Sequence, residues 1–592
     1  MKKRSEIEER YKWDLTKFCV NDEDFLLRLK NLENQISVFK QFEGNLSNDD
    51  ILFSCLEKEM EFVKEMCFIS LYADLKQCED GSDRNANELV EKFSFVQTKI
   101  MNATAFIDVE VTEFSNEKLI ELQKNEKFAN YKRYFEGVLK EKPHTLGKAE
   151  ELLLTKLSEA MGGNSAVASM FRDVDLKFPD VLDEKGEKHQ LNEAEYVLLL
   201  ENPDRTLRKN AIKQMFQGYG NFYNTLGTNY INLVKEECVL AKIRKYKNAL
   251  SEALFGEEIS EDVYNLLISK VKENIDFLHE YYEEKRKMLG LEKFANYDVF
   301  APCAKNFNKT FTYDEAIEIV KRAVAPLGED YVTLIQRAKD ERWIDVMPNE
   351  NKANTSFSTS AYGATPVVFM HFVGNVESVF TLAHELGHAI HSYYSDHNQP
   401  IQTCDYTIFV AEIASITNEM LLLNYLLDNA ENEEEKLYLY DYFLNSARAT
   451  IFRQTMFAEF EQFVHEEYEK ECPLTPDLLN EKYLELNQFY YGKNVEVVDE
   501  TQYEWLRIPH FFKNFYVYKY ATSMIGALKT SSMILSDKNY AEKYKKFLSA
   551  GCSDDPITIL KNADCDLSNP KTYDDAFDTC RKFLKKYKVK NV

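Results

Sequence analysis

Turn-forming residues are scarce in this chain of 592 residues. Gly (19) and Pro (13) together make up about 5% of it, whereas about 12% is usual. Charged residues are abundant at 29% and can cover the solvent faces of helices. The combination indicates long helices with few tight turns, so we expect a mainly α fold.

The remaining composition narrows the class of protein further. A hydrophobic fraction of 44%, with 40 Phe and 35 Tyr, supplies a large core and excludes a disordered chain. The net charge of −26 and the pI near 5.0 argue against binding to nucleic acid or to an anionic membrane surface, because both need a basic footprint. Length alone predicts more than one folding unit.

We expect a cytoplasmic protein. The basic start MKKR is followed by Glu6, Glu8 and Glu9, where the apolar core of a signal peptide would have to lie. The sequence contains no run of about 18 apolar residues, so we expect no membrane-spanning helix. The 11 cysteines are scattered without a C-x-x-C pair, which is typical of reduced thiols rather than of a disulfide framework.

Helical patterns dominate the chain and are interrupted at few places. We place a boundary near residue 200, between an N-terminal helical region (1–200) and a larger C-terminal region (201–592). The small residues of 161–170 predict a loop, and a β-hairpin is expected near 170–192. Loop-rich zones are expected at 291–312 and 345–366, and helices from 376 to the end.

The segment HELGH, residues 384–388, carries the strongest chemical signal. Its flanks are helical in pattern, so His384 and His388 project from one face, one turn apart, and can bind one metal ion. Glu385 lies about 100° round the helix, beside the metal, where it can take a proton from water. The alternative is a pair of buried histidines hydrogen-bonded in a helical core.

A catalytic zinc site needs a third protein ligand. The metzincin pattern fails, because its later Gly and His positions hold His391 and Tyr394 here. Glu412 stands in an apolar helical stretch 24 residues after His388, where an unpaired carboxylate is costly. We expect Glu412 to be the third ligand of a single Zn²⁺ ion.

Three further acidic or histidine residues are candidates for a role near the metal or on a helix surface. Glu419 shares a helical face with Glu412 and is either an acceptor for a ligand histidine N–H or an exposed residue. His391 is expected beside the ligands or on the substrate side rather than as a fourth ligand. His465, in HEEYE, lacks a second histidine and is expected on a helix surface.

A β-rich segment, 367–373, precedes HELGH. An edge strand beside a zinc cleft can pair with an extended peptide, and Gly363 would let a substrate approach closely. A purely structural strand is the alternative.

Near the C-terminus, His510, Tyr516 and Tyr520 form a second group of candidates. The tyrosines share a face if the segment is helical, and an imidazole or phenol can stabilise an oxyanion. Tyr518 is expected to pack in the core.

These motifs together resemble the oligoendopeptidase F family of thimet-type zinc oligopeptidases. The resemblance rests on FTLAHELGHAIHS, FVAEIAS and IPHFF with NFYVYKYATS, and also on YKWDL, KPHTLGKAEELLL and NPDRTLRKNA. It implies a helical, two-lobed ellipsoid with a deep substrate channel and a small β-sheet beside the zinc helix. It also implies cleavage of short peptides but not of folded proteins, with Zn²⁺ on His384, His388 and Glu412 and with Glu385 as the base. Which tyrosine contacts the substrate stays open, as does the oligomeric state.

Two rival functions are a non-catalytic helical scaffold and a zinc exopeptidase. A scaffold explains the helices but not HELGH together with Glu412. An exopeptidase needs a fixed group for the substrate's C-terminal carboxylate, and Arg448, Arg453 and Arg507 are the candidates.

Overall fold

The computed structural model describes residues 1–158, 161–304 and 309–588. Helices account for 71% of the chain and strands for 3%, so the predicted mainly α fold is confirmed. None of the described helices combines the length and apolar character that crossing a membrane requires.

Twenty-five α-helices and seven short strands are described. The helices of the first half are α1 (Asp22–Gln35), α2 (Asp49–Glu79), α3 (Arg84–Thr104), α4 (Phe106–Thr112), α5 (Asn116–Lys124), α6 (Lys132–Glu141), α7 (Lys148–Ser158), α8 (Gly163–Met170), α9 (Glu193–Glu201), α10 (Arg205–Gly220), α11 (Tyr223–Ile243), α12 (Ala249–Phe255), α13 (Glu261–Glu273) and α14 (Ile275–Met288). Those of the second half are α15 (Tyr313–Ala323), α16 (Glu329–Asp340), α17 (Val376–Asn398), α18 (Ile408–Asp428), α19 (Glu433–Ala447), α20 (Arg453–Glu469), α21 (Pro476–Tyr491), α22 (Tyr518–Ser536), α23 (Tyr540–Leu548), α24 (Pro556–Asn562) and α25 (Pro570–Lys588). The strands are β1 (Val181–Leu182), β2 (Lys188–His189), β3 (Phe294–Ala295), β4 (Ile344–Asp345), β5 (Phe357–Thr359), β6 (Val367–Phe369) and β7 (Val495–Glu496).

Two compact units make up the fold, and each is assembled from three separate stretches of chain. The first comprises Met1–Pro143, Asn308–Tyr425 and Thr530–Asp564, and the second comprises His144–Phe307, Leu426–Lys529 and Cys565–Val592. These units are not the two regions, 1–200 and 201–592, that the sequence analysis expects. The boundary near residue 200 stays a prediction.

The core of the first unit is formed by apolar faces of its N-terminal helices and by the strand β6. Its buried members include Phe25, Leu52, Phe93, Phe135 and Phe369. In the second unit an aromatic group around Trp505 has the same role. The ring centroids of Tyr230 and Phe460 lie 5.6 and 5.7 Å from that of Trp505, and Phe511 packs on Phe460 at 5.4 Å. Phe511 belongs to the 3₁₀ turn Pro509–Phe512, so this core supports the neighbouring His510.

The predicted hairpin is present, because β1 pairs antiparallel with β2. The predicted loop at 161–170 is wrong over most of its length, since Gly163–Met170 forms the helix α8. Its Ala and Ser residues are compatible with a helix. Of its two glycines, Gly163 is the first residue of the helix and Gly162, with φ of +77°, precedes it.

Candidate active site

The helix α17 carries the HELGH segment and begins at a well-defined cap. Gly374 has φ of +85°, and a Cβ atom there would lie 2.8 Å from the carbonyl oxygen of Phe311, so glycine is required. The side chain of Asn375 then accepts a hydrogen bond from the backbone N–H of Ser378, which satisfies a free donor of the first turn. The start of the helix that presents the histidines is thereby determined.

His384 and His388 lie one turn apart on α17 with their ring centroids 4.9 Å from each other. Glu412, on α18, approaches both rings. Its Oε2 atom lies 3.3 Å from His384 Nε2 and 3.4 Å from His388 Nε2. Among the residues that the structure describes, these three form a group whose candidate ligand atoms all lie within 4.8 Å of one another.

The geometry of this group fits zinc. Ligand atoms on a tetrahedral zinc ion, each about 2.0–2.1 Å from the metal, lie about 3.3–3.4 Å apart. Two imidazole nitrogens and one carboxylate oxygen are also the donor set of a common catalytic zinc site. Burial by itself would raise the pKa of Glu412, but its hydrogen bonds with His384 and His388 hold that pKa below its ordinary value. The carboxylate is therefore ionised, as a metal ligand must be.

A close crossing of α17 and α18 brings the three side chains together. A Cβ atom on Gly387 would lie 2.7 Å from Ser415 Cα and 3.0 Å from the carbonyl oxygen of Ala414. Glycine is thus needed at this position for close approach of two backbones rather than for a turn. Ser415 is buried, and its hydroxyl group donates to Glu412 Oε2 at 2.8 Å, which orients the carboxylate.

Glu419 is an acceptor beside the cluster, which decides between the two alternatives for this residue. Its Oε1 atom lies 2.5 Å from His384 Nδ1. Burial would lower the pKa of His384, but hydrogen bonds with Glu412 and Glu419 raise it well above the ordinary value. With Nδ1 held by Glu419, Nε2 is the nitrogen left for a metal ion.

Glu385 is buried next to the two histidines. Its Oε2 atom has no hydrogen-bond partner among the residues that the structure describes. Burial raises the pKa of this carboxyl group, and the charges of His384 and His388 oppose the rise. A buried carboxylate oxygen with free acceptor capacity is suited to receive a proton.

Three more histidines, His371, His391 and His397, lie near HELGH in the sequence but are not part of the group formed by His384, His388 and Glu412. His371 Nε2 bonds to the carbonyl oxygen of Ala353 at 2.7 Å, and His397 Nδ1 to that of Tyr393 at 2.8 Å.

His391 is 1% exposed and stacks on Tyr406 with ring centroids 3.7 Å apart. Burial lowers its pKa to about 3. This enclosure by aromatic rings does not fit the substrate side, so a position beside the ligands is the alternative for His391 that stays a prediction.

His465 also differs from its predicted position. It lies on the helix α20, as expected, but it is buried rather than on the surface. Its Nε2 atom lies 2.8 Å from Glu237 Oε2, and this polar partner makes burial of the ring tolerable.

His510, Tyr516 and Tyr520 meet in the second unit. Tyr520 Oη lies 3.3 Å from His510 Nε2, and the ring centroids of the two tyrosines are 5.5 Å apart. The condition for a shared helical face is not met, since α22 begins at Tyr518 and Tyr516 lies before it. Tyr518 packs against Tyr264 at 5.1 Å, as expected. Burial, followed by the charge of Lys513, lowers the pKa of His510.

The model of "Peptidase family M3" matches residues 198–579, and the model "Oligopeptidase F" matches residues 110–178. The chain belongs to peptidase family M3. It is accordingly a metallopeptidase.

Relatives of this M3 chain are similar to it in sequence or structure over almost its full length. Oligopeptidase PepF of Bacillus subtilis is 35% identical over 586 residues, which cover 98% of this chain and 87% of that protein. A solved structure from Chlamydophila abortus has a TM-score of 0.94 at 30% identity, with 100% of both chains covered. Oligoendopeptidase-F from Enterococcus faecium has a TM-score of 0.74 at 29% identity, covering 96% of this chain and 99% of that one.

The small sheet of this M3 peptidase corrects one expectation. The strand β6 lies in the middle of the order β4-β6-β5, not at an edge. It pairs parallel with β4 and antiparallel with β5, and its three residues are fully buried. The edge strand that packs against α17 is β5. Gly363, with φ of +89°, follows that edge strand, and its predicted role in substrate approach stays a prediction.

Two of the three candidate arginines are neutralised by acids. Arg453 Nη2 lies 2.6 Å from Glu504 Oε1, and Arg507 Nη2 lies 2.5 Å from Glu193 Oε2. A guanidinium group already paired with a carboxylate is a poor receptor for a second one. Among the described residues of this M3 chain, Arg448 is the one of the three arginines that has no acidic partner.

Sequence reasoning did not single out Gly387 and Ser415. The available signals were the small residue inside HELGH and the small residues Ala414 and Ser415, two and three residues after Glu412. Small residues on two neighbouring helices indicate close approach only when the crossing point of those helices is known.

Proposed function

We propose that this M3 peptidase is a zinc endopeptidase that hydrolyses internal bonds of short peptides and not of folded proteins. The arrangement of His384, His388 and Glu412 carries the proposal, because its spacing and donor atoms match a catalytic zinc site. The names of the Bacillus subtilis and Enterococcus faecium relatives, an oligopeptidase and an oligoendopeptidase, support the substrate class. We place its action in the cytoplasm.

Each residue has a defined task in the proposed reaction. When bound, a zinc ion supplies Lewis-acid polarisation, which lowers the pKa of water and activates a carbonyl group. Glu385 takes a proton from the attacking water and later delivers it to the leaving amine. Glu419 keeps the ring of His384 in the orientation that ligation needs. His510 and at least one of Tyr516 and Tyr520 are proposed to donate hydrogen bonds to the tetrahedral oxyanion.

The backbone of the substrate has a natural partner in the first unit. The strand β5 forms one edge of the sheet and packs against α17. An extended peptide can add to such an edge through main-chain hydrogen bonds, which do not depend on side-chain identity. We therefore propose β5, in place of the segment around β6, as the strand that aligns peptides.

A cleavage assay tests the proposed function directly. A peptide of about ten residues blocked at both ends and its unblocked form are incubated with the protein, and the products are identified by mass spectrometry. We expect internal cleavage of both peptides, loss of cleavage with a chelator and recovery with zinc. Release of only one or two residues from the free C-terminus, with no cleavage of the blocked peptide, would instead establish an exopeptidase.

Replacing Gly387 by alanine should weaken zinc binding by about 10-fold or more, as loss of support around a metal ligand typically does. The new methyl group would meet Ser415 Cα at 2.7 Å, so α18 must move and take Glu412 with it. The dissociation constant is measured by competition with a chelator. Gly137→Ala on α6 is the matched control, because a Cβ atom there meets nothing within 4 Å. Equal zinc affinity in both variants would contradict the role of this crossing.

Replacing Tyr516 or Tyr520 by phenylalanine should lower kcat by roughly 10²-fold in at least one case, with a smaller change in KM. The phenol group would act only as charge develops on the oxyanion. Tyr518→Phe is the control, since Tyr518 packs in the core. Unchanged kcat in both variants would remove the tyrosines from the mechanism.

A further inference from the structure

One arginine of the second unit is buried without a counter-charge. Arg448 is 2% exposed. Its Nε atom donates to Asn445 Oδ1 at 3.0 Å, and its guanidinium carbon lies 4.9 Å from the centre of the Phe300 ring. Its Nη2 atom is buried and has no hydrogen-bond acceptor among the residues that the structure describes. A buried charge normally has a partner of opposite sign.

The acids nearby are engaged elsewhere. Glu504 accepts a hydrogen bond from Arg453 Nη2 on its Oε1 atom at 2.6 Å. Its Oε2 atom accepts one from the hydroxyl group of Tyr483 at 2.8 Å. Asp441 lies 3.1 Å from Lys285 Nζ and accepts from the hydroxyl group of Tyr587 at 3.0 Å. Each of these acids balances one cation, so the described residues, 1–158, 161–304 and 309–588, supply no carboxylate for Arg448.

Arg448 also borders a cavity of the right size for a small ion. The cavity measures about 20 Å³ and is lined by Arg448, Arg453, Tyr282 and Tyr491, among others. A volume above about 10–15 Å³ is enough for one water-sized group. Tyr282 and Tyr491 also line a neighbouring cleft of about 180 Å³. A phenol hydroxyl both donates and accepts hydrogen bonds, so Tyr282 and Tyr491 can each donate one to an anion in the cavity.

The backbone at this point is irregular. The helices α19 and α20 are joined by a π-helical turn, Arg448–Phe452, which begins at this arginine. Arg453, the first residue of α20, follows it directly. Such turns are uncommon and occur frequently at functional sites. The irregular turn thus coincides with the residues that line the cavity.

We propose that Arg448 binds a small monovalent anion in this cavity. The anion is either free chloride or a carboxylate group, whose remaining atoms would then occupy the neighbouring cleft. The bound charge balances Arg448 and stabilises the π turn between α19 and α20. This site lies entirely in the second unit and is separate from the His384, His388 and Glu412 cluster of the first.

A neutral water molecule is the competing occupant. Asn487, which also lines the cavity, donates its Nδ2 atom to the carbonyl oxygen of Tyr483, and its Oδ1 atom is left as an acceptor. A single water could therefore bond to Asn487 Oδ1 and Arg448 Nη2 together. The experiment has to separate a charged occupant from a neutral one.

Thermal unfolding of the full chain, loaded with zinc, makes this distinction. At constant ionic strength, replacing a bulky organic sulfonate, which carries no carboxylate group, by chloride should raise Tm saturably by about 1–2 °C. Formate in place of chloride tests the carboxylate source. Arg448→Gln should abolish the dependence, whereas Arg84→Gln, which removes an exposed arginine on α3, should retain it. If Arg448→Gln does not fold, Arg448→Lys should fold and show a weaker dependence.

Bromide provides a readout that needs no variant. In crystals of the wild-type chain grown or soaked in bromide, we expect an anomalous peak beside Arg448 Nη2. A bromide peak with a chloride-dependent Tm assigns a halide site, and a response to formate alone assigns a carboxylate site. A featureless cavity in bromide, together with a Tm that is independent of chloride and formate, would overturn the proposal in favour of water.

Discussion

Replacing Glu385 by glutamine should abolish turnover and leave metal binding intact. The amide is nearly isosteric with the carboxylate but cannot accept a proton from water, so general-base catalysis, which contributes about 10²–10⁴-fold, is lost. Because the Glu385 side chain is buried and is not one of the three ligand residues, the histidines should keep their positions. We expect kcat/KM to fall by at least about 10²-fold, with one zinc ion still bound per chain.

Glu377→Gln is the matched control for this experiment. Glu377 lies in the first turn of the same helix, is exposed, and carries the same chemical change away from the cluster. Its kcat/KM should stay within twofold of the wild-type value. If Glu385→Gln retained near-normal activity with zinc bound, Glu385 would not be the base and another residue would have to move the proton.

The local part of the candidate site could be predicted from the sequence because it depends on helix periodicity. The spacing of His384 and His388 puts both rings on one face whatever surrounds the helix. Glu412 could be predicted because a carboxylate in an apolar stretch needs a partner. The role of Glu419 could not be decided, since its contact with His384 depends on where α18 crosses α17. Gly387 and Ser415 determine that crossing, and it becomes visible only in three dimensions.

In the fold, too, features set by neighbouring residues could be predicted, whereas contacts between residues remote in sequence could not. Scarcity of Gly and Pro correctly predicts a helical chain, and turn residues correctly predict the hairpin of β1 and β2. The position of β6 in the middle of its sheet could not be predicted, because its parallel partner β4 lies more than twenty residues earlier and has only two residues. Burial of His465 likewise could not be predicted, since its partner Glu237 is remote in sequence.

Replacing His384 by alanine should remove zinc. Loss of an outer hydrogen bond to a ligand costs about 10–100-fold in metal affinity, and loss of one of three ligands should cost far more. We therefore expect less than one-tenth of an equivalent of zinc after dialysis, measured by atomic absorption, and no peptidase activity. Glu419→Gln, which alters only the acceptor on His384 Nδ1, should fall between the wild type and His384→Ala.

His397→Ala separates ligand loss from a general effect on α17. His397 lies near the end of the same helix and is exposed. It bonds to the carbonyl oxygen of Tyr393 and stacks on the Tyr393 ring, and it is not one of the three ligand residues, so this variant should bind a full equivalent of zinc. Circular dichroism should show unchanged helix content in both histidine variants, because α17 is capped by Asn375 and packed independently of the His384 ring. A full equivalent of zinc in His384→Ala would refute the assignment of this histidine as a ligand. Loss of zinc in His397→Ala as well would show that the helix, rather than the ligand, had been disturbed.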